Sequence, residues 1–179
     1  MMDFDALIVQ RVEPILRSYG FKLLLHHSCF FQFQSNLVEL VISFDTRENS
    51  HFVQIGSRGV FMYPLDDRAI KELFDPDIQL ESASHEQFVS NLNLFMQNNG
   101  AALFKGNPGD LDKLRLWVKK DSKEYTERLM KGQLKEAADK AWKGGDYDRY
   151  IKLVNQIGLK LLPGSYSKKY EMAVRRLSQ

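Results

Sequence analysis

Residues 37–56, LVELVISFDTRENSHFVQIG, decide the fold. Two apolar runs, Leu37–Phe44 and His51–Ile55, are rich in Val, Ile and Phe and flank the polar segment Asp45–Ser50. Short runs of this composition are typical of β-strands, and the polar segment lacks helical periodicity. The stretch therefore predicts a β-hairpin with a loop of about six residues.

The neighbouring sequence predicts that this hairpin belongs to a larger antiparallel sheet. Partial period-two alternation marks four strands, at Phe21–His26, Cys29–Gln34, Leu37–Phe44 and His51–Gly56. Because a parallel crossover takes a dozen or more residues, the short links between these runs allow only hairpins. We expect a meander, with a fifth strand at Val60–Tyr63.

The alternation also assigns the two faces of the sheet. We expect one face to cover the core, with Phe21, Leu23, Leu25, Cys29, Phe31, Phe33, Val38, Leu40, Ile42, Phe44, Val53 and Ile55. The opposite face would hold Leu24, His26, Phe30, Gln32, Gln34, Glu39, Val41, Ser43, Phe52 and Gln54. That set is more apolar than a plain solvent face requires, so either the C-terminal helices cover part of it or it binds another molecule.

Helices are predicted on both sides of the sheet segment. Apolar residues at helical spacing predict a helix over residues 3–18 that stops at Gly20 and is kinked or broken at Arg11–Glu13, ahead of Pro14. Asp66 is expected to cap a short helix. Ser84 followed by Gln87 is the pattern of a capping box that opens a longer one.

The C-terminal part is predicted to be entirely helical. The turn at residues 106–109 is the clearest break in the chain, and we expect helices that restart near Asp121, stop at Gly144-Gly145, and restart at Asp146 and at Ser165 or Ser167. The predicted class is α+β: an N-terminal helix, an antiparallel four- to five-stranded meander sheet with helices on one face, and a C-terminal all-helical antiparallel hairpin region. The sheet domain would span 1–105 and the helical region 110–179, unless both form one domain.

Composition narrows the classes of protein. The chain has 179 residues, 44% hydrophobic and 12% aromatic, which is enough to bury a core. Its one cysteine, Cys29, fits a reducing compartment, and it sits beside phenylalanines as a buried thiol would. The acidic N-terminus is not that of a signal peptide, and no apolar run approaches a membrane span, so we expect a cytoplasmic protein.

Motifs for common chemistries are absent from the sequence. There is no GxxxxGK[ST], GxGxxG, HExxH, CxxC or GxSxG, and we assign no catalytic residue, cofactor or metal ligand. One constellation could suit a metal-dependent hydrolase: Glu39 on a strand, with Asp45, Arg47 and His51 around the hairpin loop. The alternative interpretation makes Asp45 a loop residue that accepts hydrogen bonds from its own turn.

Uneven charge raises a second possibility, nucleic-acid binding. Residues 105–179 carry 18 basic and 10 acidic side chains, whereas residues 61–104 carry 2 and 7. Lysines of the C-terminal helices could neutralise phosphates, and Trp117, Trp142, Tyr147 and Tyr150 could stack on bases. Interleaved acids instead favour a solvated helix surface.

Protein binding is the hypothesis we place first, and it needs no reactive group. The candidate binding residues lie on the open face and the hairpin loop: His26, Phe30, Gln32, Glu39, Val41, Phe52, Gln54, Asp45, Arg47 and His51.

A family resemblance agrees with this choice. A helix followed by Tyr19-Gly20-Phe21-Lys22, and strands ending in residues 52–56 (FVQIG), resemble bacterial α+β domains found among immunity proteins of polymorphic toxin systems. The stretch at residues 141–147 (AWKGGDY) is similar to the helical endings of those proteins, and also to a tetratricopeptide hairpin. The resemblance implies a non-enzymatic intracellular protein that binds and blocks a toxin.

Overall fold

The computed structural model describes residues 3–81 and 83–178. It divides into two compact units, Met1–Lys119 and Lys120–Gln179, and the division falls inside one long helix. The first unit holds the sheet and the shorter helices, and the second holds helices only. The α+β class predicted from the sequence is confirmed.

The N-terminal helical segment is disturbed where Pro14 predicts. Helix α1 spans Phe4–Leu7, a π-helical turn spans Ile8–Val12, and α2 spans Glu13–Ser18 with Pro14 in its first turn. Proline has no N–H and crowds the preceding turn, and the wider π turn gives its ring room. The segment ends at Gly20, whose φ of +83° suits glycine.

Five strands form one antiparallel sheet in the order β1-β2-β3-β4-β5. They are β1 Lys22–His27, β2 Phe30–Gln34, β3 Val38–Asp45, β4 Ser50–Ser57 and β5 Tyr63–Pro64. The predicted meander is therefore confirmed, but the expected fifth strand at Val60–Tyr63 is wrong in position. The turn through Gly59 (φ +71°) keeps Val60 out of the ladder, and pairing with β4 begins only at Tyr63.

A β-bulge in β1 reverses part of the predicted face assignment. Leu23 pairs with Phe33 but Leu25 pairs with Gln32, so Leu24 is an extra residue without a partner. His26 consequently pairs with Phe31 on the core side, and its ring stacks on that of Phe31 with centroids 4.2 Å apart. The predictions that Leu25 faces the core and that His26 lies on the open face are both wrong. The extra residue, Leu24, moves each later residue of β1 to the opposite face of the sheet from the one predicted.

The core face of the other strands agrees with the alternation. The buried side chains are Phe31, Phe33, Val38, Leu40, Ile42, Val53 and Ile55, and they belong to a cluster with Phe4, Phe88 and Phe95 from the helices. Phe44, at the end of β3, is half-buried. The sheet therefore buries one face under α1 and α4, as an antiparallel sheet commonly does.

The helices after the sheet begin at the predicted caps. Helix α3 spans Asp67–Leu73, and Asp66 Oδ1 accepts the Ala69 N–H at 2.7 Å. Helix α4 spans His85–Gln97 and has a complete capping box between Ser84 and Gln87. Helix α5, Ala101–Phe104, follows Gly100.

Helix α6, Pro108–Lys143, is continuous where a restart at Asp121 was expected. Nothing around Asp121 interrupts a helix. Asp121 and Glu124, the pair that suggested a cap, lie inside α6, where Lys120 lies 3.9 Å from Glu124 one turn further on.

The second unit continues with α7, Tyr147–Ile157, and α8, Gly164–Leu177. Helix α8 starts after Pro163 rather than at Ser165 or Ser167, because proline's fixed φ suits the start of a helix. The core of the second unit holds Tyr150, Val154, Tyr166, Ala173, Ala138 and Ala141. Tyr166 Oη donates to Asp139 Oδ2 at 2.6 Å.

The described helices include none with the length and apolar character needed to cross a membrane.

Candidate functional site

The uncovered side of the sheet presents three cross-strand rows, because facing residues of antiparallel strands share a face. The first row is His27, Phe30, Ser43 and Phe52; the second is Leu25, Gln32, Val41 and Gln54; the third is Lys22, Gln34, Glu39 and Gly56. We call these residues the open face. Of the candidates predicted for it, Phe30, Gln32, Glu39, Val41, Phe52 and Gln54 are present, and His26 is replaced by Leu25 and His27.

The open face is accessible to solvent and carries exposed apolar side chains on β1 and β4. Phe52 is 46% exposed and Leu25 41% exposed, and Gln54 is also exposed. Val41, in the middle row, is only 7% exposed because its neighbours flank it. Apolar side chains exposed on the open side of a sheet are costly to leave in water, so this surface suits a binding partner.

Charge on the open face is low and balanced. Lys22 is its only strong base and Glu39 its only carboxylate, both in the third row. Gln34 Nε2 donates to Glu39 Oε1 at 2.6 Å, which holds the carboxylate down on the sheet. Amide side chains supply most of the hydrogen-bonding capacity of the face.

A cleft at one end of the open face brings together four of the predicted residues. Phe30, Phe52, Asp45 and Arg47 line it, together with the edge of Phe44, and its volume is about 510 Å³. We call it the end cleft. It lies where the β1–β2 turn meets the β3–β4 loop, so neighbouring hairpins position residues far apart in sequence.

Asp45 organises the loop beside this cleft. Its Oδ1 accepts the N–H of Arg47 at 2.8 Å and that of Glu48 at 3.2 Å. This is the loop role that the sequence offered as the alternative to catalysis. The carboxylate is consequently committed to the backbone, and Asn49 completes the turn with a φ of +50°.

The hydrolase constellation is not assembled in the structure. Glu39 and Asp45 lie six residues apart on β3, which corresponds to roughly 20 Å along an extended strand. His51 lies on the core side of β4 and faces neither carboxylate across the open face. Within residues 3–81 and 83–178, no three His, Cys, Asp or Glu side chains are grouped closely enough to hold a metal ion.

His51 lies in β4, as the predicted strand at His51–Gly56 requires, but it is buried on the core side and is not the binding residue beside the loop that was expected. It is 3% exposed, and its Nε2 lies 2.8 Å from Nδ1 of His85, the first residue of α4. Burial, and then the nearby His85, lower the pKa of His51 to about 4. Nothing local in the sequence signals this contact between His51 and His85, which are 34 positions apart.

Of the four aromatic residues proposed to stack on nucleic acid, Trp142, Tyr147 and Tyr150 serve as packing in the second unit, whereas Trp117 belongs to the first unit and donates from Nε1 to Glu72 Oε2 at 2.8 Å. Tyr150 is fully buried, and the ring of Trp142 lies 5.3 Å from it and 5.5 Å from that of Tyr147. Several lysines of this unit are paired with acids of the same helix, including Lys140 with Glu136 at 2.8 Å. Both observations favour the solvated-surface interpretation of the basic end.

The comparisons with known proteins give no identity for these surfaces. No protein-family model matches the chain, and neither the curated proteins nor the solved structures contain a match to it.

Proposed function

We propose that this chain is a non-catalytic protein-binding module whose binding surface is the open face together with the end cleft. The observation that carries the proposal is the exposure of Phe52, at 46%, at the border between the open face and the end cleft. A large ring in that position can enter a pocket on a partner, and buried aromatic anchors supply much of the energy of protein interfaces.

The composition of the face favours a protein over a phosphate-bearing ligand. Protein interfaces are enriched in aromatic side chains and depleted of Lys, Glu and Asp at their centres. The open face has Phe30, Val41 and Phe52, with glutamines between them, and one Lys balanced by one Glu. Such a surface offers little attraction to a nucleic-acid backbone.

The size of the face indicates how far the contact must extend. The four strands are spaced about 4.8 Å apart. The three rows are two residues apart along the strands, at about 3.3 Å per residue, so the face covers roughly 400 Å². A stable complex buries about 800 Å² on each partner. We therefore infer that the partner also contacts the end cleft and the loop at Asp45–Ser50.

The partner we propose is a protein toxin that the chain neutralises by occlusion. Support comes from the resemblance of the strands and the helical ending to immunity proteins. A binding surface that carries aromatic anchors and no assembled catalytic group is what blocking an enzyme's surface requires. Such a role also predicts that a toxin gene lies next to the gene for this chain.

Affinity capture with matched variants tests the proposal. The wild-type chain, Phe52→Asp and Phe61→Asp would be used as baits in an extract of the source organism. Phe61 is 73% exposed and is not an open-face residue. Its backbone borders Gly56 in the third row, away from Phe52 and the end cleft, so it controls for the loss of an exposed ring elsewhere.

We expect one protein to be retained by the wild type and by Phe61→Asp but lost with Phe52→Asp, and to bind again when both components are purified. The same proteins on all three baits, or none on any, would contradict the proposal.

A further inference from the structure

The contact between His51 and His85 joins the sheet to the start of α4. His51 Nε2 and His85 Nδ1 are 2.8 Å apart, and the pair lies against three rings. Phe88 stacks on His51 with centroids 4.3 Å apart, Phe44 meets His85 edge-on at 4.5 Å, and Phe4 lies 5.5 Å from His85. Elements α1, β3, β4 and α4 therefore meet at these two imidazoles.

The hydrogen bond constrains which nitrogen of each ring carries a proton. The other nitrogen of His51, Nδ1, is buried and has no hydrogen-bond partner among the described residues. If Nε2 of His51 is the donor, Nδ1 is a bare lone pair, which costs less than an unpaired buried N–H. If His85 is the donor, Nδ1 of His51 must carry a hydrogen with no acceptor, which is costly in a buried site.

Adding one proton to the pair removes the favourable arrangement. With two neutral rings, His51 can donate from Nε2 and leave Nδ1 bare. Once either ring is charged and the 2.8 Å bond is kept, Nδ1 of His51 must carry a hydrogen without a partner. A second proton would place two N–H groups face to face.

Charged groups on the surrounding elements do not offset this cost. The carboxylates nearest the pair along the packed elements are those of Asp5, Asp45, Asp66, Glu81 and Glu86. Asp5 is engaged with His26 and with the N–H of Cys29, and Asp66 caps α3. Among the described residues, neither His51 nor His85 forms an ion pair, so no carboxylate neutralises an imidazolium directly.

We propose that the His51–His85 pair is a pH-sensitive latch, which holds the start of α4 on the sheet at neutral pH and releases it in mild acid. A cleft of about 320 Å³, lined by Phe44, Asn49, His51, Ser84 and His85, already lies beside the pair, and release of α4 widens it. Phe44 also walls the end cleft, so the latch sits beside the proposed binding surface without depending on it.

Nuclear magnetic resonance of the wild-type chain tests the resting state. Nitrogen shifts of the imidazoles should show both His51 and His85 as the Nε2–H tautomer at neutral pH. A proton on Nδ1 of His51 in that state would overturn the proposal. This measurement needs no variant, so it does not depend on a substitution that alters folding.

Amide hydrogen exchange tests the release. Between about pH 7 and about pH 5, after correction for intrinsic exchange, we expect protection at Phe88–Leu92 to fall roughly tenfold or more, while α7 keeps its protection.

Two variants assign the release to the pair. His51→Gln should remove the pH dependence, and His27→Gln, on the open face, should leave it unchanged. Protection of α4 that is independent of pH, or a pH dependence that survives His51→Gln, would overturn the latch.

Discussion

Asp45 is the residue that sets the shape of the hairpin loop beside the end cleft. Its side chain accepts two backbone N–H groups, from Arg47 and Glu48, which would otherwise need water. A short polar side chain that satisfies its own turn stabilises the loop with no contribution from the core. The sequence predicted this role, because an Asp directly after a strand is a common way to begin a turn.

Asp45→Ala should destabilise the protein by about 1 kcal/mol, since two exposed side-chain-to-backbone hydrogen bonds are lost. Urea unfolding followed by circular dichroism measures the change. Thr46→Ala, at an exposed neighbouring position, is the matched control and should change the free energy of unfolding by less than about 0.5 kcal/mol. An equal loss in both variants would contradict the assigned role of Asp45.

The pKa of His51, lowered to about 4, makes the stability of the fold depend on pH. Between about pH 6.5 and pH 4 the unfolded chain binds a proton that the folded chain rejects, so stability falls as pH falls. At one pKa unit per about 1.4 kcal/mol, the full loss is on the order of 3 kcal/mol. Glu81 acts in the opposite direction, because burial and Asp67 raise its pKa.

Urea unfolding at about pH 7 and about pH 5 measures this loss. The wild type should be less stable at the lower pH, and His51→Gln should show a clearly smaller difference between the two. A wild-type chain that is equally stable at both pH values would contradict the assigned environment of His51.

At the scale of elements, the connection from α4 to α5 depends on a glycine. A Cβ at Gly100 would lie 2.6 Å from Cε1 of Phe95, and the Phe95 ring is fully buried against Phe74 and Phe104. The ring cannot retreat without disturbing these two neighbours, so the close approach of backbone to ring requires the missing side chain.

Gly100→Ala should therefore lower the free energy of unfolding by about 1–3 kcal/mol, as overpacking of a core does. Gly132→Ala is the opposite case. A Cβ there meets nothing within 4 Å in the exposed middle of α6, and better helix propensity should stabilise the chain by about 0.5–1 kcal/mol. Thermal unfolding of both variants distinguishes the two environments, and a shift of the same sign in both would contradict this account.

The elements show which features the sequence could predict. Caps at Asp66 and Ser84, the glycine stop at Gly20 and the alternation in β2 to β4 are local signals, and the structure confirms them. The bulge at Leu24 was not predictable, because three consecutive leucines give no alternation to fix the register. The sequence predicted a restart near Asp121 instead of one continuous α6, because Asp121 and Glu124 suit a helix cap and a helix interior equally.

The candidate site was predictable to a similar extent. The alternation of β2 to β4 placed eight of the open-face residues correctly, because period two assigns faces whenever the register is unbroken. His26 was misplaced by the bulge. The His51–His85 contact joins positions 34 apart and depends on how α4 packs on the sheet, which no local pattern encodes.

At the scale of the whole molecule, the basic and apolar surfaces belong to different parts of the sequence. Residues 120–179 carry 14 basic and 8 acidic side chains, whereas the open face has a balanced charge. If the basic part bound nucleic acid, affinity for a DNA duplex would fall steeply between about 50 and 200 mM salt. Our account expects only weak association with DNA at low salt, and expects it to be lost by about 150 mM salt. Submicromolar binding to DNA that persists at about 150 mM salt would favour the nucleic-acid alternative.

Amide hydrogen exchange of the chain with and without its captured partner tests the central claim most directly. Bound partner should slow exchange in β2, β3 and β4 and in the loop at Asp45–Ser50, because these segments carry the open face and the end cleft. Exchange in α7 and α8 should be unchanged. Protection confined to the helices, with the sheet and its loop exchanging as in the free chain, would contradict the proposal that the open face is the binding surface.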